Sequence, residues 1–181
     1  MISFLKGFWY AFRGVAESIC AERNMRVHIV ISLYVLYFSQ YYNLSVARFA
    51  LVVAVIAFVL ALELMNTAIE RVCDAVTTEQ NPLIKMAKDA AAGAVLVGAS
   101  ASVVIGVLIF WDTEILWKII SSLCYSPEGL TIFILTLLAA SVFVVVGPEE
   151  LVDSIKTMVE FKKELENDDK EANKKIEAEN K

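Results

Sequence analysis

Glycine, proline, cysteine and histidine are all scarce in this 181-residue chain, which has 7, 3, 3 and 1 of them. Cys20, Cys73 and Cys124 lie far apart, in odd number and without metal-like spacing, which argues against a disulfide framework and leaves them as packing residues. None of the seven glycines builds a G-x-x-x-x-G-K-[ST] loop or a kinase-type glycine loop. Any phosphate must then be met by a carboxylate-held metal, by Lys or Arg, and by backbone amides. No basic stripe is present among 16 basic and 21 acidic residues, so nucleic acid is not an expected partner. A cleavable signal peptide is not expected either, because 26 residues with four basic side chains precede the first apolar block. There is no internal repeat. The single histidine, His28, falls at the edge of an apolar block and reads as a structural residue of the membrane interface.

What is abundant is apolar surface, at 58% of residues, gathered in blocks at Val27–Tyr42, Val46–Leu62, Ala90–Trp111 and Leu130–Gly147. At about 1.5 Å rise per residue, such blocks reach across or nearly across a bilayer core of about 30 Å. The fold class expected is therefore an all-α integral membrane protein with three or four spanning helices. The first block, broken by Ser32, Ser39 and Gln40, carries the weakest signal. Ahead of it, Phe4, Leu5, Phe8, Trp9, Phe12, Val15 and Ile19 recur at helical spacing, the pattern of an amphipathic helix on the membrane surface. Trp9, Trp111 and Trp117 read as interface anchors. Seven Lys and Arg lie before the first span and in the 71–89 loop, against Arg48 and Lys118 on the other side. That asymmetry predicts a cytoplasmic N-terminus.

The second block ends in A-L-E-L-M-N-T-A-I-E-R-V-C-D, residues 61–74. At roughly 100° per residue, Glu63, Asn66, Glu70 and Asp74 share one face of that helix. A helix merely leaving the membrane explains Asp74 and Arg71. It explains Glu63 poorly, because Leu62, Leu64 and Met65 surround it and Ala68-Ile69 continue the apolar run. Glu22 just before the first span and Lys88-Asp89 just before the third bring further charge to the same depth. Carboxylates with a carboxamide suit Mg²⁺, which keeps water and phosphate oxygens in its shell. The residues alone thus point to a cation or nucleotide site at the inner membrane face.

Four stretches carry a family resemblance: F-R-G at 12–14, A-E-R-N at 21–24, the run 63–74, and A-K-D-A-A-A-G-A-V at 87–95. Residues 6–108 resemble the prokaryotic diacylglycerol kinase family, small trimeric membrane lipid kinases. The N-T-A-I-E and K-D-A-A-A-G-A-V elements are more similar to its Gram-positive branch, which phosphorylates undecaprenol. The resemblance implies ATP-dependent phosphorylation of a lipid alcohol by a homotrimer using Mg²⁺. It implies Glu63 as general base and Glu22 and Glu70 as metal ligands. It also implies ATP contacts at Tyr10, Glu22, Glu70, Lys88 and Asp89, with Glu79 and Asn81 in a loop nearby. Asn66 and Asp74 fall at supporting positions, and Asn24, Met25 and Arg26 near the lipid-binding edge, where Glu63 also meets the substrate. Diacylglycerol is the alternative acceptor. A non-catalytic assembly or cation-conducting bundle is the rival of another class, and the ensemble of Glu22, Glu63, Glu70 and Lys88-Asp89 argues against it.

The resemblance stops short of the C-terminal third. The expected division is a kinase domain at 1–111, an interfacial connection with a fourth transmembrane helix at 112–147, and a charged cytoplasmic tail at 148–181. That tail holds 7 lysines against 11 acids and opens with a weak apolar stripe at Leu151, Ile155, Met158 and Val159. In the third block Ala90, Ala94, Gly98, Ser102 and Gly106 form a small-residue stripe that predicts a close helix contact.

Overall fold

Helices begin in this chain where a short polar side chain can replace a missing backbone partner. Ser45 accepts from the Arg48 amide at the start of α3 (Val46–Val76). Asn81 accepts from the Leu83 and Ile84 amides at the start of α4 (Pro82–Phe110). Asp112 does the same for α5 (Thr113–Tyr125), and Ser126 for α6 (Pro127–Val146). Pro82 and Pro127 open their helices where no intrahelical N–H is needed. Two helices precede these: α1 (Ile2–Ala21) and α2 (Arg23–Ser39), the latter ending in a 3₁₀ turn at Gln40–Tyr42. Asn43 then takes the left-handed conformation, φ 43°, to turn the chain into α3.

This computed structural model describes residues 2–77, 79–154 and 156–157, and among them there is no strand. The all-α expectation holds. Three helices, α3, α4 and α6, are long and apolar enough to cross a membrane. The 17 residues of α2 stop short of that length, and the 3₁₀ turn extends them. Apolar side chains along α3, α4 and α6 stay largely uncovered by protein, as lipid-facing helices require. Phe8, Trp9, Phe12 and Val15 of α1 are likewise exposed, which fits an interface helix. Arg13, paired with Glu17 at 2.6 Å, holds that carboxyl below the usual carboxylate range. Glu17 also meets Arg71 at 3.5 Å, linking α1 to the end of α3.

The most extensive packing joins α3 and α4. The small-residue stripe serves it at one point. A Cβ on Gly98 would collide with Leu62 Cδ1, whereas one on Gly106 would meet nothing within 4 Å. Gly98 therefore lets the two helices close, and Gly106 faces outward. At one end of the bundle Tyr42 stacks edge-on against Phe110, with ring centroids 5.0 Å apart, and α5 packs on the 3₁₀ turn.

The opposite end is held by Arg26, 6% exposed. Its guanidinium donates to the carbonyls of Ile19 (3.1 Å) and Cys20 (2.7 Å) in the last turn of α1, and through Nε to Val144 (3.2 Å) in the last turn of α6. Gly147, at φ 83°, lies directly against it. The returning chain also brings Glu149 beside Cys20, and burial together with that carboxylate pushes the Cys20 thiol up. All three cysteines are free. Cys73 is buried, but Cys124 is exposed on α5, so a packing role does not extend to it. Between α2, α5 and α6 runs an apolar groove of about 730 Å³, where Phe133 meets Tyr34 and Phe38 edge-on. Of the apolar stripe in the tail, Leu151 is half-buried. Ile155, Met158 and Val159, like residues 166–181, lie outside the described residues.

Candidate active site

The polar face of α3 is graded in depth. Glu63 is 2% exposed, Asn66 and Glu70 are half-buried, and Asp74 is open to solvent. Holding an ionised carboxylate at the buried end costs on the order of 3 kcal/mol in a membrane interior unless partners offset it. The helices beside α3 supply the surroundings. From α2 come Asn24, Val27 and His28, and from α4 come Ala92, Val95, Leu96 and Ala99. With Glu63 and Asn66 they line a cavity of about 230 Å³. The small α4 residues leave the room, and the polar groups gather on the α2 and α3 walls.

Within it, Glu63 Oε1 lies 2.9 Å from His28 Nε2. Thr67, buried one turn on, donates its hydroxyl to the Glu63 carbonyl at 3.0 Å. Asn66 donates through Nδ2 to Glu70 Oε1 at 3.0 Å, while its Oδ1 is buried without a partner. A buried acceptor left open is a place for a ligand's donor or for a cation. The charges of Glu22 and Glu70 both act on Glu63, so the three carboxylates share one neighbourhood. Glu22 fills the one-residue break between α1 and α2, and its side chain does not cap the helix. Further out, Lys88 of α4 pairs with Asp74 and also feels the charge of Glu70.

These contacts bring Glu22, Asn24, Glu63, Asn66, Glu70, Asp74 and Lys88 to one end of the bundle. The other expected residues have different surroundings. Tyr10 is exposed on α1, and Glu79 and Asp89 are exposed near the α3–α4 turn. Asn81 uses its side chain to cap α4. Met25 is 2% exposed in the core, and Arg26 is occupied by backbone carbonyls. Sequence reasoning gives His28 a structural role at the interface, and the structure places it on the cavity wall against Glu63. No local signal could have found that contact, since the partner lies 35 positions away on α3.

Among the described residues no three His, Cys, Asp or Glu side chains close into a metal cage. Magnesium does not require one, since it commonly takes one or two carboxylates and completes its shell with phosphate and water. Glu22, Glu70 and the open Asn66 Oδ1 are hard oxygen donors of that kind, so the residues fit such an ion.

Residues 9–110 match the family described as prokaryotic diacylglycerol kinase. The chain belongs to that family. An undecaprenol kinase of Bacillus subtilis (strain 168) is 43% identical over 107 residues, covering 59% of this chain and 87% of that one. A diacylglycerol kinase of Synechocystis is 37% identical over 105 residues, covering 58% of this chain and 60% of its own. A diacylglycerol kinase of Pseudomonas aeruginosa is 31% identical over 112 residues, covering 62% and 81%. The family match stops at the end of α4, so α5 and α6 lie outside it.

Proposed function

We propose that this membrane protein transfers the γ-phosphoryl group of ATP to the hydroxyl of a lipid alcohol, undecaprenol in preference to diacylglycerol, as a homotrimer. The observation that carries the reading is Glu63, a carboxylate 2% exposed that lines a small cavity at membrane depth beside Glu70. An alcohol is a poor nucleophile, so the lipid O–H needs a base as its oxygen attacks the γ-phosphorus. Glu63 takes that proton as the bond from phosphorus to the ADP oxygen breaks. Glu22 and Glu70 would hold Mg²⁺, which when bound with ATP neutralises phosphate charge. Lys88, with Asp74 fixing it, lies where a further phosphate oxygen can be met. Asn66 links the two halves by bonding Glu70 with one end and presenting its free oxygen with the other. Water-soluble and lipid-soluble substrates thus meet on one graded helix face.

The preference for undecaprenol is supported by the 43% identity to a kinase of that name. Specificity is a ratio of kcat/KM values, so both alcohols must compete in the same bilayer. The assay is run on the fraction whose native mass equals three chains. Undecaprenyl phosphate is expected to dominate the product. Dominant phosphatidic acid would reverse the substrate order, and activity confined to a monomer fraction would remove the trimer.

The charge asymmetry supports a cytoplasmic site, with α5 on the far side of the membrane and the chain after α6 returned to the site's side. The exposed thiol of Cys124 provides a direct test. In intact cells it is expected to react with an impermeant thiol reagent, while Asp153→Cys in a Cys124→Ser background reacts only after permeabilisation. Immediate labelling at position 153 would invert or shorten this topology.

A further inference from the structure

The mechanism uses Glu63 and leaves its partner unexplained. Among the described residues, His28 supplies the only side-chain partner of the Glu63 carboxylate, Nε2 to Oε1 at 2.9 Å. The contact joins α2 to α3 across the cavity that both residues line. His28 keeps 22% of its side chain exposed, against 3% for Glu63, so the imidazole is the more open member of the pair. Its own backbone is held, since Ser32 Oγ donates to the His28 carbonyl at 2.7 Å. A flexible glutamate with no partner samples several rotamers, and only some aim an oxygen at a hydroxyl in the cavity.

We infer that His28 is a positioning residue for phosphoryl transfer: its Nε2–H holds one oxygen of Glu63 so that the other faces the lipid hydroxyl. The inference rests on the reading of Glu63 as the base. Imidazole suits the task better than a lysine would. A lysine would bring a permanent ammonium on a long flexible stem, whereas the imidazole offers a single Nε2–H donor fixed on a planar ring. The donor must also be rigid, and a ring with two torsions anchored one turn from Asn24 meets that need.

The test compares three variants in membranes with lipid alcohol and Mg-ATP both varied. His28→Leu keeps bulk but loses the donor, and kcat is expected to fall about 10- to 100-fold with both KM values little changed, as misplacement of a reacting group does. His28→Gln restores an N–H near the Nε2 position and is expected to recover most of that loss. In a Glu63→Gln background, His28→Leu is expected to add no further loss. Should His28→Leu fail to fold, His28→Asn replaces it, because its shorter amide falls short of Oε1. Equal losses in the Leu and Gln variants, or a loss carried by KM alone, would assign His28 to packing and overturn the proposal. A full further loss on top of Glu63→Gln would show action independent of Glu63 and overturn it too. High activity in Glu63→Gln by itself would instead remove the base, and with it any role of His28 through that base.

Discussion

Replacing Glu63 with glutamine is expected to lower turnover by about 10²–10⁴, the usual share of general base catalysis, while Mg-ATP binding is kept. The substitution is nearly isosteric. Gln retains an oxygen that can accept from His28 Nε2, so the α2–α3 contact survives. What disappears is the ability to take a proton. ATP affinity should hold because Glu22, Glu70 and Lys88 are untouched, and Glu70→Gln should show the converse, a raised KM for Mg-ATP. Stability gives an independent reading. Glu63 is 2% exposed, so neutralising it removes a buried charge, and the variant should unfold at the same or a higher temperature than wild type. Near-normal turnover in Glu63→Gln would remove the base assignment, and a collapse in stability would make Glu63 a structural residue instead.

The residues that make this prediction possible were legible to different degrees. Helical periodicity alone set Glu63, Asn66, Glu70 and Asp74 on one face, and the fold keeps them there with burial falling along the helix. Cap signals are local too, since Asn81-Pro82 and Ser126-Pro127 act within a few residues of themselves, although Asn81 is expected as a loop position near ATP and not as a cap. Contacts between distant helices leave no local signal at all. Nothing in the local sequence of His28 tells that its ring meets a carboxylate 35 positions away, since a histidine at a membrane edge satisfies itself equally well at the interface. The small-residue stripe shows the same limit. Its spacing announced a close helix contact, but only the three-dimensional packing tells that Gly98 meets Leu62 and that Gly106 meets nothing.

The C-terminal helix α6, outside the family match, is joined to α1 and α2 by a device of the same non-local kind. Pro148 has no N–H, so the carbonyl of Val144, four residues earlier, cannot find its helical donor. Arg26 Nε supplies one at 3.2 Å from 118 residues away. The same guanidinium serves the Ile19 and Cys20 carbonyls at the end of α1, where the break at Glu22 interrupts the ladder. A cation at two helix C-termini also suits both dipoles. No carboxylate pairs with this buried charge among the described residues, and hydrogen bonds to three carbonyls take that place.

Arg26→Met is therefore expected to cost about 2–4 kcal/mol of stability, because hydrogen bonds to a charged group are lost and their acceptors stay buried. Met keeps the apolar stem packed, so the loss measures the guanidinium itself. Arg26→Lys should recover only part of it, since one ammonium cannot match a planar fork that reaches α1 and α6 together. Denaturant unfolding in mixed micelles gives the magnitude, and amide exchange over 143–151 shows whether α6 loosens first. A second substitution isolates the cause. Pro148→Ala returns an N–H to position 148, which can bond Val144 within the helix and make Arg26 Nε redundant there. The cost of Arg26→Met should be smaller in that background, by roughly the 1.5–3 kcal/mol of one such hydrogen bond at most. An unchanged cost would mean that the Val144 contact contributes nothing, and that Arg26 secures α1 while α6 is held by the apolar seam with α2.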